Sequence, residues 1–136
     1  MTLVATNTVI AALTIWKEAR GESYAAKLAV AWVIRNRTMN KDGRWPSSPS
    51  DVCWQPKQFS AWNANDVNSN KWPKSGDVVY ADCCRAWEQA WASQADADPT
   101  AGANHYESLP PAGAAPRWAD PSKRTARIGA FEFYKL

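Results

Sequence analysis

A chain of 136 residues, 46% of them hydrophobic, bounds a single domain with one real core. Its net charge of +3 and pI near 8.8 suit an anionic polymer as partner, but are too weak, with Lys and Arg scattered, for nucleic acid. No apolar run is long enough to span a membrane, which excludes stable insertion by a helix.

Taken in chain order, Val9, Ile10, Leu13 and Trp16 recur at three- and four-residue spacing and predict a helix over about 6–19. Thr6 or Asn7 is placed to cap its start and Gly21 to mark its end. Leu3 to Trp16 has no basic residue ahead of it and is interrupted by Thr6, Asn7, Thr8 and Thr14. It reads as a first helix rather than a signal peptide, so the chain is expected to be made in the cytoplasm without a leader. Ser23 is a cap for a second helix running to about Thr38. Its apolar run, Leu28 and Val30 to Ile34, predicts a central, largely buried element, with Arg35 and Arg37 suiting the negative end of its dipole.

From Asn40 to Lys74 the prolines at 46, 49, 56 and 73, with many Ser, Asn and Asp, predict loops and short helical turns. A loop region this long is usually functional. Ser75 to Ser93 reads as a third long helix, with Val79, Cys83, Ala86, Trp87, Ala90 and Trp91 on one side. Asn104–Glu107 and Ala130–Tyr134 are short strand candidates, separated by a Pro-Ala-Gly stretch from Pro110 to Pro116. The expectation is a mostly helical α+β domain covering 1–136, with a small β-element, no internal repeat and no linker to a second domain. The nine tryptophans either fill the core or line a cleft. Cys53, Cys83 and Cys84 are an odd set, and free thiols are the expectation.

The inventory of reactive groups is short. His105 is the single histidine, and neither HExxH nor paired CxxC is present, so zinc chemistry is not expected. No GxSxG marks a serine nucleophile. A thiol hydrolase built on Cys53 and His105 stays open, although Cys53 lies in a Pro-rich loop rather than at a helix start. The remaining chemistry belongs to carboxylates. Glu18 and Glu22 close the first helix, four residues apart, with Gly21 between them. Glu18, beside Ile15 and Trp16, can point into an apolar cleft and have its pKa raised. Glu22, near the start of the next helix, has its charge favoured by the dipole. Such a pair suits acid-catalysed cleavage of a sugar–sugar bond. From these residues alone, two exposed helix-end charges with Arg20 as partner remain equally good.

The ordered set of motifs resembles the spore-cortex-lytic (SleB/CwlJ-like) cell-wall hydrolase family. The pieces are Glu18-Ala-Arg-Gly-Glu-Ser23 with the helix from Ala26 to Arg37. They continue with Val52-Cys-Trp-Gln-Pro-Lys-Gln-Phe-Ser-Ala-Trp62, Ala103-Asn-His-Tyr106, Trp118-Ala, Thr125-Ala-Arg-Ile-Gly129 and Phe131 to Tyr134. The resemblance implies a lysozyme-like fold of the lytic transglycosylase type. It also implies cleavage of the MurNAc–GlcNAc bond of peptidoglycan, with Glu18 as the single acid/base and no cofactor. Glu22 becomes a supporting residue, and the Gln55–Phe59 segment and His105-Tyr106 are expected to line the glycan cleft. Tyr24, Gln55, Gln58, Phe59, Ser60, Trp62, His105, Tyr106 and Trp118 are the candidate substrate-binding residues. A compact catalytic domain of this kind looks like a monomeric phage endolysin, released through a membrane pore. A Cys53–His105 peptidase or amidase and a non-catalytic wall-binding module are the alternatives.

Overall fold

The computed structural model describes residues 2–55, 59–109 and 116–136. Helix α1 spans Leu3–Ala19 and begins earlier than its apolar pattern. Thr2 is extended, and its hydroxyl accepts the Ala5 N–H at 3.1 Å. The Thr6 and Thr8 hydroxyls instead donate to the carbonyls four residues back, which keeps both inside the helix. Gly21 does not end α1 by a left-handed turn. The chain leaves through Arg20, whose N–H meets the Trp16 carbonyl, and through the Glu22 N–H bonded to the Ala19 carbonyl at 3.0 Å.

Helix α2 spans Tyr24–Met39, capped by Ser23 as its sequence predicts. It is the central element, packed against α1 and against the long helix that follows the loop region, with Ala29, Val30, Ala31, Val33 and Ile34 fully buried. The intervening region holds a short helix α3, Pro49–Trp54, and a 3₁₀ turn, Ser60–Trp62. Helix α4 is Val78–Ala92; it starts at the Asp77 cap rather than at Ser75, because Gly76 in the left-handed region ends the preceding loop.

The loop after the 3₁₀ turn is tied down by Lys17. Its ammonium donates to the carbonyls of Asn68, Ser69 and Lys71 at 3.0, 3.2 and 2.8 Å. It also lies over the rings of Trp72 and Trp62, at 3.9 and 4.9 Å from their centroids.

The β-element has three strands, β1 (His105–Ser108), β2 (Arg124–Ile128) and β3 (Phe131–Tyr134), antiparallel in the order β1-β3-β2. Tyr106 faces Phe133 across one ladder and Ile128 faces Phe131 across the other. Strand β2 was not expected from its mixed composition. Its signal is the two-residue turn Gly129-Ala130 before Phe-Glu-Phe-Tyr. Gly129 has φ of 57°, and a Cβ there would lie 3.2 Å from the Ala26 Cβ. The hairpin therefore seats tightly on the start of α2. Cys53, Cys83 and Cys84 are free thiols, and no helix among the described residues is long and apolar enough to cross a membrane.

Candidate active site

Between the end of α1, the end of α2 and the sheet lies a cleft of about 490 Å³, lined by Glu18, Arg37, Ser60, His105, Tyr106, Glu107, Ser108, Trp118 and Phe131. Glu18 enters it from the last turn of α1. The Tyr106 hydroxyl donates to Glu18 Oε1 at 2.9 Å from strand β1. Burial raises the Glu18 pKa above the ordinary carboxyl value, and the Asp66 charge adds to the rise. The Tyr106 hydrogen bond and the Arg37 charge oppose it. A carboxyl group held in this way keeps its proton to higher pH than an exposed one, which favours general-acid chemistry.

Around this pair the cleft carries aromatic and polar groups. The His105 ring lies 4.9 Å from that of Trp118 and 6.1 Å from that of Trp45. Burial, with the charges of Arg37 and Arg44, lowers its pKa to about 4, so it is neutral in ordinary conditions. His105 Nδ1 lies 2.8 Å from Asn104 Oδ1, which also accepts the Leu136 N–H. That amide oxygen sets the proton on Nδ1 and leaves Nε2 as an acceptor.

The other expected site residues divide. Ser60 and Trp118 line the cleft with His105 and Tyr106. Phe59 does not: it is 1% exposed and packs in the core, 5.0 Å from the Arg37 guanidinium. Trp62 turns away into a cluster with Trp54 and Trp72 and donates from Nε1 to the Thr14 hydroxyl at 2.8 Å. Tyr24 lies against α4, its hydroxyl donating to Gln89 Oε1 at 2.8 Å. Gln55 ends α3 with Oε1 buried and without a hydrogen-bond partner among the described residues. Gln58 lies outside the described residues. Glu22 is separated from Glu18 by the break between α1 and α2. The two share only a shallow depression with Lys17, Arg20 and Asn68, outside the Tyr106 cleft.

The thiol alternative fails on geometry. Cys53 is fully buried on α3, and burial pushes its pKa up to about 12. A thiol so protonated is not a nucleophile near neutral pH, and Cys53 is not among the residues that line the cleft with His105.

Two charged residues in the cleft escaped the sequence reading. Arg37, near the end of α2, is 4% exposed and donates from Nε to the Asn104 carbonyl at 2.8 Å. The available signal was a cation on an otherwise buried helix, which demands a reason. Glu107 follows Tyr106 on β1, and burial with the Glu132 charge raises its pKa. Its spacing of two from His105 on a strand could have pointed to it.

A family model described as cell wall hydrolase matches residues 21–134. The chain belongs to the cell wall hydrolase family. Its match begins just after Glu18, so that residue stands outside the matched region while most of its surroundings stand inside. The hydrolase is similar to the crystal structure of the catalytic domain of the Bacillus cereus SleB protein. Identity there is 27%, with a TM-score of 0.72, covering 96% of this chain and 91% of that one. It is similar also to the catalytic domain of the germination-specific lytic transglycosylase SleB from Bacillus anthracis. That match has 27% identity and a TM-score of 0.70, covering 95% of this chain and 93% of that one. The sequence matches no curated protein. The mostly helical fold with its small sheet is thus that of the SleB catalytic domain, and the hydrolase is a glycan-cleaving enzyme of the bacterial wall.

Proposed function

We propose that this hydrolase cleaves the MurNAc–GlcNAc bond of peptidoglycan as a lytic transglycosylase, with Glu18 as its single acid/base. The observation that carries the reading is the Glu18 carboxyl, half-buried in an aromatic-edged cleft and oriented by Tyr106. Protonated Glu18 donates to the glycosidic oxygen as the bond to the anomeric carbon breaks. The oxocarbenium-like centre is stabilised by the sugar's own acetamido group or by dipoles of the cleft. Glu18, now a carboxylate, takes the proton of the sugar 6-hydroxyl. That oxygen closes on the anomeric carbon, giving a 1,6-anhydro end and restoring the acid.

Glu107 supports a second reading. It is a further carboxylate in the same cleft, as a hydrolytic muramidase in its usual form requires. Mass spectrometry of digested, purified peptidoglycan separates the outcomes. Anhydro-muramyl ends are expected; reducing muramic acid ends would favour the muramidase, and free stem peptides alone would overturn both.

The setting we propose is lysis of a bacterial host by a phage-borne, monomeric endolysin that acts after release through a membrane pore. The mild positive charge supports attraction to an anionic wall. Cells producing the enzyme are expected to lyse only once their membrane is permeabilised; lysis without permeabilisation would refute the pore requirement.

A further inference from the structure

Arg37 is a cation in the cleft that the reaction above leaves without a use. Its Nε–H is bonded to the Asn104 carbonyl, and its guanidinium lies 5.0 Å from the Phe59 ring centroid and 5.5 Å from that of Trp45. These contacts hold it in place. Nη1 is buried and finds no acceptor among the described residues, and none of the ion pairs among them includes Arg37. A buried cation without a counter-ion is costly, and a fold keeps one where function needs it.

The acidic groups close enough to act on Arg37 are Tyr106 on β1, Cys53 on α3 and Glu18 on α1. Burial keeps the Tyr106 phenol and the Cys53 thiol neutral. Glu18 is therefore the only one of the three that becomes an anion under working conditions. Resting on the reading of Glu18 as acid/base, we infer that Arg37 is a positioning residue whose fixed charge stabilises the Glu18 carboxylate as its proton leaves. The attraction is absent while Glu18 is protonated and appears during proton transfer, so it favours the transition state over the bound ground state. The other groups facing Glu18 are Tyr106, which also favours the anion, and Asp66, which opposes it.

The test compares the parent with Arg37→Lys, Arg37→Met and Arg37→Gln on soluble peptidoglycan glycan fragments, each first checked for folding. The two neutral variants should lose about tenfold or more in kcat with KM little changed. Their alkaline limb should move to higher pH, and Arg37→Lys should bring it back toward the parent. A limb that stays in place in the neutral variants, or Lys and Met variants that fall alike, would overturn the inference. If no neutral variant folds, the parent decides. The Arg37 guanidinium ¹⁵N resonances should shift with the midpoint of the Glu18 carboxyl ¹³C titration, and the shift should vanish in Glu18→Gln. An Arg37 signal indifferent to Glu18 overturns the inference. A parent that releases no saccharide fragments refutes the functional reading instead.

Discussion

The Tyr106 hydroxyl and Glu18 Oε1 are 2.9 Å apart, one on the sheet and the other on the first helix. The bond favours the charged form of Glu18 and so works against the burial that raises its pKa. In Tyr106→Phe the opposition is lost and Glu18 holds its proton more tightly. The alkaline limb of the pH–rate profile is expected to move upward, with kcat lower by about tenfold because the carboxyl is less well aimed. A limb that moves down would contradict the assigned direction of the bond.

Glu18→Gln should fold and lose about 10³-fold or more of wall cleavage. It should also change how stability depends on pH. Between the ordinary carboxyl pKa, near 4.5, and the raised native one, the folded chain binds a proton that the unfolded chain has released. Native stability from this group therefore falls as pH rises through that window. The Gln variant should lack that slope, as read from Tm measured across pH.

Cys53→Ala should keep kcat within about twofold, because the thiol is protonated and does not line the cleft. Its effect belongs to packing, with a small cavity costing about 1–2 kcal/mol in denaturant unfolding. Loss of turnover in a folded Cys53→Ala enzyme would restore the thiol mechanism.

Glu22→Gln should leave kcat within about threefold of the parent, since Glu22 does not line the Tyr106 cleft. Steady-state cleavage of soluble glycan fragments checks this. A loss comparable with that of Glu18→Gln would mean that the substrate path crosses the depression the two glutamates share.

Lys17→Met removes a cation held by three backbone carbonyls. Stability should drop by about 2–3 kcal/mol, and amide exchange should quicken first in residues 63–74. Unchanged exchange there would show that Trp62 and Trp72 hold the loop without the charge.

The apolar periodicity of the helices and the capping Ser23 were legible because both act within a few residues of sequence. Glu18 was legible as a candidate for the same reason, lying one turn from buried Ile15. Strand β2 was hidden, since this edge strand turns only Ala126 and Ile128 toward the core and a register shift between Arg124 and Ala126 interrupts its alternation. Phe59 and Trp62 were misplaced because an aromatic ring fills a core or a cleft with equal chemistry, and only long-range packing decides. Arg37 carried a helix-end explanation that was true in position and incomplete in consequence, because Asn104 and the rings that hold it come from elsewhere in the chain.

The Glu18–Tyr106 bond also has a temporal side, since its partners lie 88 positions apart. A ribosome delivers α1 long before β1, and β1 is held in its sheet by β3, which follows later still. Until then Glu18 lacks the strand residue that orients it. The cleft whose burial raises the Glu18 pKa is thus closed only late in folding. An unfinished chain holds the residue without the reactivity, and a cut between α4 and β1 would disarm the enzyme while leaving Glu18 in place.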